Sequence, residues 1–396
     1  MSKRKLQFKI RFLLGVVISS ISFGCTESFD PPNLDFQEIL VIDAILTTEL
    51  KEQEIFLSRT FTSNEEVELE SNARVLITDD LGNTIAFVET EPGRYGSQVD
   101  FGAQPNRTYS LQITTENGSV FRAGPAQAIG NGILEQLSAS VTTNENGTEG
   151  ISIFASGQGF EESASSFRFD YEETYLVISP FTSPEDLVVV SENPVIFDVV
   201  PKTREEQICY RTISSNNILI TNSESLTSNQ VQNFEVKFIP KNDFSISHRY
   251  SISVNQYIQS PAAQGFYEDL REFSNVQTLF SQTQPGFVRG NIEAAENVGE
   301  RVLGIFEIAS VSSQRLFFNR SDFFPDEPIP DHIIPCNTID FFENDAALLG
   351  LIQSGSHKLV SQELVFPDSI IFFVVESGCV DCTLYGTNVR PDFWVD

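Results

Sequence analysis

Hydrophobic and polar residues alternate with a period of two along much of this chain. The alternation is clearest over residues 73–79, 106–113, 167–172 and 248–258. Because successive side chains of a β-strand point to opposite faces, this period predicts strands that bury one face. Turn residues separate the strands, and Asp80-Leu81-Gly82-Asn83 predicts a hairpin between two of them. The pattern therefore predicts a mainly β fold.

The spacing of the predicted strands divides the chain into two parts. Residues 38–130 hold about seven short strands with frequent turns, which is typical of a β-sandwich domain. The strand order of this part resembles immunoglobulin-like or transthyretin-like modules. A glycine-rich link over residues 124–132 closes it, and residues 131–396 are predicted to form a larger β-rich domain with disulfides.

Helical signals interrupt the strands of the larger domain. Ser260 as N-cap and Pro261 in the first turn predict a helix that runs to about residue 273. Phe266 and Leu270 are spaced to share one face of that helix. A second short helix is predicted over residues 338–353. The larger domain is therefore expected to carry one or two short helices.

The first residues read as a lipoprotein signal peptide over residues 1–24. Five basic residues and no acid lie in the first eleven, an apolar stretch covers residues 12–18, and Gly24 directly precedes Cys25. We expect cleavage before Cys25 and acylation of its thiol, including palmitate, followed by a polar tether over residues 25–37. Because several acyl chains hold a protein almost permanently, we expect the mature chain to stay attached to a membrane. Glu27 and Asp30 beside the anchor favour the cell surface over the periplasmic face.

Composition excludes two classes of protein. The chain carries 55 acidic and 25 basic residues, for a net charge of −30, and removal of the basic signal makes the mature chain more acidic still. Such a charge repels nucleic acid, so no nucleic-acid partner is expected. A hydrophobic fraction of 40% with 34 phenylalanines is ample for a packed core, which excludes a globally disordered chain.

Four cysteines follow Cys25, namely Cys209, Cys336, Cys379 and Cys382. An even number in an exported protein indicates disulfides, and three full pairings are open at this point. Cys379 and Cys382 also have the spacing of a zinc or redox motif. However, the second pair of ligands that zinc needs is missing, and the residues around the motif do not predict a helix start.

Motifs that carry chemistry are absent from the sequence. His248, His332 and His357 lie far apart and lack ligand partners at metal-binding spacing. The acidic run at residues 322–332 offers the oxygen ligands that calcium prefers, but it lacks the alternating acids and glycine of a calcium loop. Trp394 near the chain end is expected to pack as a structural residue. We therefore expect no catalytic residue, no metal site and no cofactor, and interpret the chain as a non-enzyme.

Several segments together resemble a Bacteroidota family of outer-membrane lipoproteins known only as a domain of unknown function. They are Cys25 with Glu27 and Phe29, Leu57-Ser58-Arg59-Thr60, Arg249-Tyr250-Ser251 with Gln256, Gly290-Asn291-Ile292, Val302-Leu303-Gly304-Ile305-Phe306, Ala309-Ser310-Val311-Ser312, and the ending Cys379-x-x-Cys382 with Arg390-Pro391-Asp392-Phe393-Trp394. The resemblance covers nearly the whole mature chain. Members are typically encoded beside a TonB-dependent transporter, which implies such a barrel as a partner.

Three functions stay open on these grounds. The resemblance favours an accessory subunit of a TonB-dependent transporter, which binds substrate or caps the barrel. One alternative is a surface hydrolase that uses two carboxylates, although 55 acidic residues leave no particular pair indicated. Another is a structural or adhesive surface protein. The ligand and its binding residues are not indicated by any pattern in the sequence.

Overall fold

The computed structural model describes residues 38–60, 68–223, 228–275, 288–296, 300–343, 346–365 and 369–396. Cys25, the predicted signal and the predicted tether lie outside these residues, so the lipidation of Cys25 stays a prediction. None of the described helices is long and apolar enough to cross a membrane.

Twenty-two β-strands and two α-helices lie in the described part of the chain. The strands, in chain order from β1 to β22, are Leu40–Thr47, Glu54–Arg59, Glu68–Leu69, Arg74–Asp79, Thr84–Glu91, Arg94–Gly96, Tyr109–Thr114, Val120–Ala126, Gly132–Thr143, Glu149–Gly159, Ser166–Ile178, Glu185–Glu192, Val195–Pro201, Ile208–Ser214, Leu219–Asn222, Gln230–Pro240, Arg249–Gln259, Ile292–Ala294, Val302–Asn319, Ile339–Phe342, His357–Val365 and Ser369–Glu376. The helices are α1 at Pro261–Asn275 and α2 at Ala346–Gln353. The mainly β prediction is confirmed.

The first predicted helix begins where the sequence indicated. The backbone N–H of Ala263 donates to Ser260 Oγ at 3.1 Å, so Ser260 caps α1 as an N-cap residue does. The second helix is shorter than the predicted span of 338–353. Its first part forms β20 instead, because pairing with β22 lets Phe341 pack against the small core around Phe372.

A single fourteen-stranded sheet dominates the fold. Its path runs β14-β11-β17-β19-β1-β2-β6-β5-β4-β7-β8-β18, with β15 on β11 and β3 on β2. The central junction is a parallel pair in which β1 lies beside β19, from Leu40 opposite Val302 to Thr47 opposite Ala309. The sheet therefore joins the first strand of the described chain to a strand that follows far later in the sequence.

Two large hydrophobic cores lie on this sheet. One core fills the space between the sheet and a separate three-stranded sheet, β16-β10-β9. Its members include Ile151, Ile153, Phe167, Phe169, Tyr250, Ile252 and Val254. The other core is built mostly from β1 to β8 but also takes side chains from β18 and β19. Its members include Leu40, Ile42, Val75, Leu111, Ile292 and Phe306. The domain boundary at residue 130 stays a prediction.

Disulfides hold the C-terminal part of the chain together. Cys209 bonds to Cys382 and Cys336 bonds to Cys379, which selects one of the three possible pairings. Cys379 and Cys382 thus pair with distant partners rather than with each other. Trp394 is buried and meets Tyr210 edge-on, with ring centroids 5.1 Å apart, one residue after the Cys209 bridge.

Candidate functional site

A cleft of 320 Å³ opens on the large sheet and is lined by residues of β1, β2, β11 and β17, with β19 between β17 and β1 in the sheet. It lies on the face that points away from the core, because strand alternation turns Tyr250, Ile252 and Val254 inward and Tyr257 outward. Its lining includes Asp43, Glu52, Glu54, Phe56, Arg168 and Tyr257. The volume falls at the lower end of the range of small-molecule sites.

Arg168 is the central cation of the cleft. Its guanidinium carbon lies 4.1 Å from the ring centroid of Tyr257 and 5.4 Å from that of Tyr267. Nη1 also lies 3.5 Å from Asp170 Oδ2. Because Tyr267 comes from α1 and Tyr257 from β17, Arg168 ties the helix to the sheet beside the cleft. Cation–π contacts of this kind gain strength where water is excluded.

Asp170 is fixed by a relay of hydrogen bonds across three strands. Asn255 Nδ2 donates to Asp170 Oδ1 at 2.7 Å, and Ser313 Oγ donates to Asn255 Oδ1 at 2.6 Å. The sheet register makes this possible, since Asp170 lies opposite Asn255 and Asn255 lies opposite Ser313. The relay holds the carboxylate against Arg168 and leaves it little freedom to turn into the cleft.

Asp43 differs from Asp170 because it lacks the hydrogen bonds and the ion pair that hold the Asp170 carboxylate in place. In the part of the chain that the structure describes, no hydrogen bond or ion pair reaches its carboxylate, although its side chain is open to the cleft. Surrounding protein raises the pKa of Asp43 by desolvation, the positive charge of Arg168 lowers it, and the negative charge of Asp170 raises it again. A carboxyl in a cleft whose pKa is displaced by desolvation and by neighbouring charges is a candidate for a functional group.

Glu307 is, after Asp43, a second carboxyl group with a raised pKa on the same face of the large sheet. Its side chain is buried, and the backbone N–H of Ser260 donates to its Oε1 at 2.6 Å at the start of α1. Burial raises the pKa of Glu307 to about 7, and the Ser260 hydrogen bond only partly offsets that effect. Asp43 lies opposite Ile305 in the parallel β1–β19 pair, so Asp43 and Glu307 are diagonal neighbours on the same face of the sheet.

Gln53 holds the rim of the cleft in place. Its Oε1 accepts from the Thr47 backbone N–H at 2.9 Å, and its Nε2 donates to the carbonyl oxygens of Glu49 and Phe101 at 3.0 and 2.8 Å. This buried amide fixes the turn that carries Glu52. A rim on a rigid turn positions its side chains more precisely than a free loop.

A larger depression of 1040 Å³ lies along β7, β8 and β18 and contains Arg122 and Arg289. Its lining includes Ala295 and Glu300, and the residues between them at 297–299 are outside the described part of the chain.

None of the residues singled out in the sequence lines the 320 Å³ cleft. The four bonded cysteines lie elsewhere, and His332 packs between the rings of Phe244 and Tyr385. Among the described residues, no group of three or more His, Cys, Asp or Glu side chains is placed to hold a metal ion. A sequence signal that could have indicated the cleft is Asp43 itself, a charged residue inside the otherwise apolar run of β1.

Comparison with protein families gives one result. A family model described as "Domain of unknown function (DUF4249)" matches residues 26–315. The match spans Asp43, Arg168, Tyr257 and Glu307, but it ends before Cys336, so the C-terminal segments of the resemblance lie outside it. No protein with a curated description matches the chain. The matched range covers most of the sequence, so the chain belongs to the DUF4249 family of domains of unknown function.

Proposed function

We propose that this chain is a lipid-anchored lipoprotein of the outer membrane and an accessory subunit of a TonB-dependent transporter. In this role the protein body binds a substrate in the Asp43 cleft and presents it to the barrel. Cys25 carries the acyl chains, and the body faces the outside of the cell.

The observation that carries the proposal is the cleft with its unpaired Asp43. A site that leaves a carboxylate open in a crowded setting is suited to hold a ligand. Two features of the sequence support the partner and the address: the signal ahead of Cys25, and the resemblance to lipoproteins encoded beside such transporters.

A second candidate function is a hydrolase that uses Asp43 and Glu307. The pKa of each carboxyl is raised, and the two residues are diagonal neighbours on one face of the β1–β19 pair. Hydrolysis of a glycoside uses two such carboxyl groups. Against this, Glu307 is buried and already bonded to Ser260. Turnover of a glycan or peptide by the purified chain, lost in Asp43→Asn, would favour this candidate.

The proposal is tested by affinity purification of the tagged chain from native outer membranes in mild detergent. Mass spectrometry of the eluate is expected to identify a TonB-dependent barrel in amounts comparable to the lipoprotein. The matched control is Cys25→Ser, which removes the lipid and is expected to release the chain from the membrane fraction. Residence of the wild-type chain in the inner membrane would contradict the proposal.

A further inference from the structure

We propose that the cleft binds an organic cation, the guanidinium or ammonium group of a basic ligand. The inference rests on the proposed binding role of the cleft and adds the chemical class of what it holds. Its basis is the pairing of the charged side chains that line the cleft: the cations have anionic partners, whereas two of the acids have no partner among the described residues.

Each cation of the lining already has an anionic partner. Lys51 Nζ lies 3.2 Å from Glu49 Oε2, and Arg168 is held by Asp170 and stacked on Tyr257. Neither group is therefore available to a ligand without breaking an existing contact. An anionic ligand would have to displace Glu49 from Lys51 or Asp170 from Arg168. The displaced carboxylate would then lie close to the negative charge of the ligand, which is unfavourable.

The acids of the lining fall into two groups. Glu54 is paired with Arg94 at 2.6 Å, and Asp170 accepts from Asn255. Among the described residues, no hydrogen bond or ion pair reaches Asp43 or Glu52, and both side chains are open to solvent. The unpaired charges of the cleft are thus both negative, one in the β1 strand and one on the rim.

The walls fit the stem of such a ligand as well as its charge. Phe56 lines the cleft and is 45% exposed, so it offers an apolar surface to methylene groups. A cation that reaches Asp43 would form a charge-assisted hydrogen bond with its carboxylate. The volume of 320 Å³ holds one basic side chain rather than a folded partner.

Calorimetric titration of the full-length chain in mild detergent tests this inference. The probes are Nα-acetyl-arginine amide, its uncharged isostere Nα-acetyl-citrulline amide, and butylguanidine, a free guanidinium compound with the same single charge. We expect the arginine amide to bind at least about tenfold more tightly than the citrulline amide. Equal affinity for butylguanidine and the arginine amide indicates a free cation as ligand, and tighter binding of the arginine amide indicates a basic residue.

Asp43→Asn is expected to remove the preference for arginine over citrulline, whereas Glu145→Gln, an exposed acid in the β9–β10 turn, leaves it unchanged. Circular dichroism checks that both variants fold. The wild-type comparison stands without any variant: equal binding of the charged and uncharged probes, or binding of neither, overturns the inference. If a barrel co-purifies but no cationic probe binds, the ligand class fails while the proposed function survives.

Discussion

The guanidinium of Arg168 lies over the ring of Tyr257, 4.1 Å from its centroid, on neighbouring strands of the large sheet. The two residues sit opposite each other in the β11–β17 register. Tyr267 of α1 approaches the same guanidinium at 5.4 Å. One side chain therefore connects two strands and a helix. It pairs with Asp170, and its positive charge lowers the pKa of Asp43.

Arg168→Met is expected to destabilise the protein. The change keeps most of the apolar stem but removes the charge that pairs with Asp170 and lowers the pKa of Asp43, so Asp170 is left without its cation. We predict a loss of about 3 kcal/mol in the free energy of unfolding, measured by urea denaturation. The control is Arg74→Met on the exposed side of β4, which should change stability by less than about 0.5 kcal/mol. Equal effects of both changes would contradict this role of Arg168.

From the raised pKa of Glu307 we predict that the protein loses stability as the pH rises. Its folded pKa of about 7 lies above the usual 4.5, so the folded state holds its proton more tightly than the unfolded state. Stability should fall between about pH 4.5 and about pH 7, by roughly 3 kcal/mol in total, and then level off. Glu307→Gln, which mimics the protonated form, should remove this slope in urea denaturation series at several pH values. Glu145→Gln is the control, and an unchanged slope in Glu307→Gln would refute the assignment.

From the lowered pKa of Glu206 we predict the opposite effect at acid pH, a loss of stability as the pH falls. Burial alone would raise its pKa, but hydrogen bonds from Lys202, Arg204 and Lys358 outweigh burial and hold it at about 2. The stabilisation is therefore complete above about pH 4.5 and is lost as pH falls toward about 2. Glu206→Gln should cost roughly 2–3 kcal/mol at neutral pH and flatten the acid limb of the unfolding curve. A neutral-pH stability equal to that of the wild type would count against this cluster.

Loss of the two disulfides should have unequal effects. Cys209–Cys382 spans 173 residues and Cys336–Cys379 spans 43. Because loop closure restricts the unfolded chain more for a longer loop, replacing both cysteines of the longer bridge by serine should cost about 1 kcal/mol more. Thermal unfolding of the two double variants makes the comparison. A larger loss from the shorter bridge would show that local packing outweighs chain entropy.

Gly304 is expected to be irreplaceable at the parallel β1–β19 junction. Its φ is +150°, and an added Cβ would lie 2.0 Å from the Ile42 carbonyl oxygen. Gly304→Ala should therefore cost roughly 2–3 kcal/mol, or prevent folding. Gly265 in α1 has open space around it, so Gly265→Ala should raise stability by about 0.5–1 kcal/mol. Expression yield and melting temperature of the two variants give the answer, and a tolerated Gly304→Ala would contradict the close approach.

Local pattern accounts for the elements that the sequence predicted. The alternation around Phe167 and Phe169 indicated a buried strand face, and Ser260 and Pro261 marked the start of α1. The sequence predicts a helix at Ile339–Phe342, but these residues form a strand. They gain their stability from pairing with β22, and a pattern in the local sequence does not contain that information.

The candidate cleft was out of reach for a different reason. Asp43 lies in β1, whereas Arg168 lies in β11 and Tyr257 in β17, and the order of strands in the sheet alone brings the three together. Alternation determines which face each residue takes but not which strand lies beside it. The parallel pairing of β1 with β19 likewise joins segments that share no local signal.

The proposed association of this chain with an outer-membrane transporter is tested most directly by the mass of the complex that it would form. Native mass spectrometry of the tagged chain, released from outer membranes in mild detergent, measures that mass whatever the identity of the partner. The proposed function predicts a species in which one lipidated chain is joined to one TonB-dependent barrel. A lipidated chain that appears only by itself, from membranes that contain such barrels, would contradict it.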